Sequence, residues 1–186
     1  MKQQIKLEKK SIYTEEDYNV LPEGAPYQLI GGMLIMTPAP TPYHQKVLRN
    51  LAFALWQYVK EKGLGEVFFA PIDVYFDRWN IVQPDIVFID KMRTNIINNQ
   101  RINAYPDLTI EIISPSTAYY DLIDKKELYE RYGVKEYWLV DPLKKKVEIY
   151  ENKNNKLVLK HSLKEEGVVC SIVVKDFTID LKAIFD

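Results

Sequence analysis

Apolar positions along this chain change their period several times, and each change marks an element. Tyr27 to Ile30 and Met33 to Met36 are short apolar runs around Gly31-Gly32, a pattern that predicts a tight β-hairpin. From about Tyr43 to Lys62 the apolar residues fall at helical spacing, with His44, Leu48, Leu51, Leu55 and Tyr58 on one face and Gly63 just beyond. Glu66 to Phe69, Ile72 to Phe76 and Asp85 to Ile89 read as strands, with a turn over Asp77 to Asn80 and Gln83-Pro84 leading into the third. The Asn- and Arg-rich stretch Lys91 to Ala104 predicts an exposed loop or partly helical insertion over one end of the sheet.

Tyr105 to Pro142 is the organising unit. It reads as buried strand (Leu108 to Ile113), turn, amphipathic helix and second buried strand, which predicts a parallel pair joined by a crossover helix. Beyond it, Val147 to Tyr150, Leu157 to His161, Gly167 to Val173 and Phe177 to Leu181 predict a C-terminal antiparallel meander that closes with a turn at Ala183 to Phe185. Residues 1–11 read as a disordered lead-in, and Thr14 with Asp17 as the capping box of a short helix ending before Pro22. The expected architecture is a single α/β domain over residues 12–186: a mixed central sheet flanked by helices, with the N-terminal hairpin and the meander attached.

Against this pattern a few polar residues are out of place. Glu111 stands in the middle of a strand that is otherwise apolar on both faces except for Thr109, and a buried carboxylate needs a partner. On the following helix, Asp121 and Lys125 fall in the same arc as Leu128, Tyr129 and Tyr132. Two readings are open: an i,i+4 pair of Asp121 and Lys125 with Lys125 reaching outward, or charges aimed into a site. His44, inward at a helix start, is either a hydrogen-bonded packing residue or part of a pocket.

Composition narrows the chemistry. At 186 residues the chain buries a sizeable core without staples, and Cys170 is its only cysteine beside two histidines. That excludes a disulfide framework, a thiolate zinc cluster and a His-rich metal site, so any metal must be held by oxygen. A net charge of −1 argues against a protein that coats nucleic acid, but leaves room for an enzyme that meets DNA through one local basic face. The charged start MKQQIKLEKK and the lack of any membrane-length apolar run predict a cytoplasmic protein with no membrane partner. Gly31-Gly32 is followed by a strand and is no phosphate loop, and Lys144-Lys145-Lys146 reads as a solvated turn.

Two carboxylates that share a divalent cation must lie close. Asp107, four residues from Glu111 along one strand, is about 13 Å away and cannot. Asp85 starts its own strand after a proline, and adjacent strands lie about 4.8 Å apart, so facing positions could clamp one ion. Asp85, Glu111 and Lys125 together form the set that phosphodiester hydrolysis requires: acidic ligands for a metal and a cation for developing charge. Ser114 and Ser116 lack the context of a nucleophile elbow.

The run Gln83-Pro84-Asp85-Ile86-Val87, then Ile110-Glu111-Ile112-Ile113-Ser114-Pro115-Ser116, then Asp121-Leu122, Lys125, Tyr129, Gly133-Val134 and Glu136 to Pro142 resembles the PD-(D/E)XK nuclease superfamily. More closely, it is similar to that superfamily's large branch of uncharacterised restriction endonucleases, from the Tyr27 hairpin through the last strands. The resemblance implies a restriction-endonuclease-like core, Mg2+ or Mn2+ as cofactor, and hydrolysis of DNA phosphodiesters. It implies Asp85 and Glu111 as metal ligands, with Lys125 as the lysine that this branch supplies from the next helix, because the usual lysine position is Ile113; Lys126 is the second choice. His44 matches a position where the branch often has histidine. Gln28 stands where the branch has glutamate, and Gly31 and Met33 replace two further acidic positions. Gln28, His44 and Asp121 are therefore secondary pocket residues, and cutting both strands of a duplex favours a homodimer. The alternative is a catalytically silent nuclease-fold protein that binds nucleic acid or protein, in which Asp85, Lys125 and Glu111 form a structural ion-pair network.

Overall fold

A computed structural model describes residues 10–22, 24–114 and 123–186 of the chain. The N-terminal part contains α1 (Glu15–Tyr18), β1 (Tyr27–Ile30), β2 (Met33–Met36) and α2 (Pro42–Lys62). Strands β3 (Gly65–Phe69), β4 (Val74–Asp77), β5 (Asn80–Val82) and β6 (Ile86–Asp90) follow, then a 3-10 turn over Lys91–Ile96. The organising unit becomes β7 (Leu108–Ile112), α3 (Lys125–Tyr132) and β8 (Glu136–Asp141). The chain ends with β9 (Lys146–Asn152), β10 (Leu157–Lys164), β11 (Val168–Cys170), β12 (Thr178–Asp180) and α4 (Leu181–Phe185).

A six-stranded sheet in the order β10-β9-β8-β7-β6-β3 forms the centre. Strands β7 and β8 run parallel, as a crossover helix requires, and the other neighbours are antiparallel. Strand alternation then sorts the side chains. Ile86 and Phe88 of β6, Leu108, Ile110 and Ile112 of β7, and Trp138 and Val140 of β8 face α2, where Val47, Leu51 and Leu55 meet them. The opposite face carries Tyr137 and Leu139, covered by Leu128 and Tyr129 of α3. A smaller sheet, β2-β1-β5-β4, lies on that same side, because Ile30 and Val82 join this second cluster.

The hairpin of β1 and β2 spans the residues that the apolar runs predict, and Gly31 and Gly32 hold φ of 57° and 78°, a turn that side-chain-bearing residues resist. Several expectations need correction. The turn predicted over Asp77 to Asn80 overlaps β5 only at Asn80, and the pattern assigns no strand to Ile81 and Val82, because three residues are too few to show a period; in the structure β5 pairs with both β1 and β4. Of the two readings of Lys91 to Ala104, the partly helical one holds, with a 3-10 helix over Lys91–Ile96, but the segment is not wholly exposed: Ile102 is fully buried and bridges to Val74. β11 and β12 leave the main sheet and form their own ladder, and the closing turn is α4, capped by the Asp180 side chain on Lys182 N. Asp121 and Ser116 lie outside the described residues, as does most of the lead-in. No helix among the described residues is long and apolar enough to cross a membrane.

Candidate active site

The site sits where β6 starts and β7 ends. Ile86 pairs with Ile110, so the antiparallel register carried one step further sets Asp85 opposite Glu111. Glu111 shares the parity of Thr109, so its side chain leaves β7 on the face away from α2, toward α3. Asp85 itself lies just before β6 and is held there twice. Its carbonyl accepts Ala70 N at 2.9 Å, and its carboxylate Oδ2 accepts Ile112 N at 2.7 Å, taking over as acceptor where the strand ladder stops. Among the described residues no donor reaches Oδ1, so one carboxylate oxygen of Asp85 remains available to a ligand.

Glu111 is 2% exposed and satisfied by α3. Lys125 Nζ lies 3.0 Å from Oε2, and Tyr129 OH donates to Oε1 at 2.5 Å. Lys125 and Tyr129 are one helical turn apart, which is why one carboxylate spans both. Lys125 is 4% exposed and does not reach outward, so the outward reading of that side chain is overturned. Lys126, the second-choice lysine, lies with Nζ 3.8 Å from the Tyr150 ring, and burial pushes its ammonium down from the ordinary lysine range despite Glu148 and Glu130.

Two further elements close the site. Thr41 caps α2 by accepting His44 N, which fixes the first helical turn and aims the His44 ring at β7. His44 Nε2 lies 2.9 Å from the Ile112 carbonyl and 3.5 Å from Asp85 Oδ2, so it bridges the backbone of β7 and the carboxylate of Asp85. From β1, Gln28 is buried; its Oε1 accepts Gln83 N at 2.8 Å and its Nε2 donates to Thr37 Oγ1 at 3.0 Å.

A cavity of about 380 Å3 is lined by Gln28, His44, Asp85, Glu111 and Lys125, together with Ser114 and Gln83. The carboxyl groups of Asp85 and Glu111 and the amino group of Lys125 meet in it. The donors are hard oxygens with no sulfur, and no group of three or more His, Cys, Asp and Glu is found among the described residues. Two carboxylates with remaining positions open to water and phosphate suit Mg2+ or Mn2+, which are seldom held by an all-protein cage. The donor set therefore fits such an ion.

Asp107 stands apart from the cavity. It accepts Asp90 N at 2.9 Å and pairs with Lys135 at 2.7 Å and Arg93 at 3.0 Å. Burial pushes its carboxyl up, but Lys135, the Asp90 amide and Arg93 together outweigh that and hold it below the usual carboxylate range. The pattern did not reveal the role of Tyr129, whose place in the apolar stripe reads as core, nor that of the Ile112 carbonyl, which carries no side-chain signal.

The family model "Putative restriction endonuclease" (Uma2) matches residues 15–182. Among solved structures, "a putative nuclease belonging to DUF820 from Anabaena variabilis ATCC 29413" superposes with a TM-score of 0.75 at 22% identity, over 92% of this chain and 97% of that one. At that identity the likeness shows the shared fold. No curated protein matches the sequence.

Proposed function

This chain belongs to the Uma2 family, and from that membership and the geometry above we propose a metal-dependent endonuclease that hydrolyses phosphodiester bonds of DNA. The observation that carries the reading is that Asp85, Glu111 and a buried Lys125 paired with Glu111 line one cavity. Three ionisable groups in a cavity are costly to keep unless they are paired or put to use.

In this reading Asp85 and Glu111 hold Mg2+ or Mn2+, which supplies Lewis-acid polarisation of a phosphoryl oxygen and lowers the pKa of a water. Hydrolysis adds water across a P–O bond, so the attacking oxygen loses a proton and the leaving oxygen gains one. Lys125 is the ammonium that lines the cavity, and it meets negative charge growing on the phosphoryl oxygens and orients the attacking water. Tyr129 steadies Glu111 through Oε1, and His44 steadies Asp85 and the Ile112 carbonyl, so each acts as a positioning residue. Severing both strands of a duplex calls for two such sites, which a two-fold dimer would provide.

A second reading keeps the fold and loses turnover: a nucleic-acid or protein binding module. One observation favours it. Gln28 is hydrogen-bonded at both ends of its amide and brings no negative charge. Incubation of supercoiled plasmid with millimolar Mn2+ or Mg2+ separates the two. The nuclease reading expects nicked or linear product, lost on chelation and reduced at least a hundredfold in Asp85→Asn, Glu111→Gln and Lys125→Met that melt cooperatively. DNA binding without cleavage would leave the binding module.

A further inference from the structure

The helix that delivers His44 to the cavity also carries an unusual outer face. Gln45, Arg49, Phe53, Trp56 and Lys60 recur at intervals of four, four, three and four, so at 3.6 residues per turn they fall within about 80° of one another. Phe53 and Trp56 are exposed, their ring centroids 6.3 Å apart, and Lys60 Nζ lies 4.7 Å from the Trp56 ring. Phe69, 55% exposed at the end of the edge strand β3, stands beside them on the sheet face that α2 covers. Between them runs a groove of about 510 Å3.

We propose that this groove binds unpaired nucleotides of the DNA substrate, its aromatic rings stacking on bases and Arg49 and Lys60 taking the phosphates. The inference rests on the nuclease reading for its substrate and on three observations for its place. First, the groove is continuous with the cavity: Gln45 and Ala70 line both. A strand leaving Asp85 and Glu111 therefore passes onto α2. Second, charge is complementary to a polyanion. Arg49 lines the groove, Lys60 reaches the Trp56 ring beside it, and no acidic side chain lines it. Third, the length fits. Gln45 to Trp56 spans about 16 Å along the helix, room for about five stacked nucleotides. Exposed rings flanked by cations are what single strands require, since paired bases in a duplex hide their faces.

A second copy of this chain is the competing occupant. Two-fold pairing through the groove would bring the Arg49 and Lys60 cations of the two copies into one interface, with no carboxylate in the groove to neutralise them, and that disfavours it.

The test is equilibrium binding of a fluorescein-labelled oligothymidylate in metal-free buffer, so that the absence of cleavage does not affect it. The proposal expects quenching of tryptophan emission that Trp56→Phe removes. Trp56→Phe keeps affinity within a few-fold because phenylalanine still stacks, whereas Phe53→Ala with Trp56→Ala weakens binding tenfold or more. All these side chains are exposed, so cooperative melting near the wild-type temperature serves as the folding control. Unchanged oligothymidylate affinity in the double alanine variant overturns the proposal, as does failure of the wild type to bind the oligonucleotide at all. If the double variant instead turns a dimer into a monomer by light scattering while affinity holds, the groove belongs to a second copy and the proposal falls. Loss of plasmid cleavage in Asp85→Asn with oligothymidylate binding intact leaves both readings standing. Binding intact with no cleavage in the wild type sinks the nuclease reading alone.

Discussion

Replacing Lys125 with methionine is the sharpest perturbation of the site, because it removes one member of a buried pair and leaves the other. The side chains of Lys125 and Glu111 are 5% and 2% exposed and meet at 3.0 Å. At an effective dielectric constant of about 20, opposite unit charges at that separation attract by roughly 5 kcal/mol, much of which offsets their desolvation. Lys125→Met removes the attraction and leaves the desolvated carboxylate, so a loss of about 3–5 kcal/mol is expected. For a chain of this size that corresponds to a fall in Tm of about 6–20 °C. Glu111→Gln removes the carboxylate that Lys125 meets at 3.0 Å and should cost a similar amount. The double variant places an amide beside a thioether, with Tyr129 still able to donate to the amide oxygen, and should recover most of the loss. Urea unfolding of all four proteins at pH 7, followed by circular dichroism, closes the cycle, with a coupling energy of about 3 kcal/mol or more. Single losses below about 1 kcal/mol that simply add would mean that water screens the pair as it screens a surface salt bridge, and would refute the argument.

Millimolar Mn2+ should raise the Tm of the natural protein, because an ion bound only to the folded state at a hundredfold excess over its Kd contributes about 2.7 kcal/mol, and the shift should vanish in Asp85→Asn. Gln28→Glu adds a third carboxylate to the cavity and removes the amide donor to Thr37; it should melt lower without metal and gain a larger Mn2+ shift, and an unchanged shift would separate Gln28 from the ion. Asp107 supplies the pH test. Its folded carboxyl is held below its unfolded value, so its contribution is present above about pH 4, the unfolded value, and is lost as pH falls through the folded value. Asp107→Asn should cost about 1–3 kcal/mol at pH 7 and flatten the acid limb of stability against pH, while an acid limb identical to wild type would place that titration elsewhere.

Where a residue's role follows from its neighbours along the chain, local pattern is enough to assign it. The hairpin around Gly31-Gly32, the α2 stripe and the β7–α3–β8 unit are written in local period and turn chemistry, which set the face of each side chain. Glu111 stood out for the same reason, as a carboxylate in a strand whose other positions are almost all apolar. Period does not choose a partner, however. The register of Ile86 with Ile110 brings Asp85 to Glu111, and the packing of α3 onto β7 sends Lys125 and Tyr129 into the site and Lys126 onto Tyr150. β5, too short to show a period, completes the small sheet, and the backbone amide of Gln83, just beyond β5, anchors the Gln28 side chain. Asp107 finds Lys135 and Arg93 across distant segments of chain. These contacts join residues far apart along the chain, and no local pattern specifies them, because their energies exist only once strands and helices have docked.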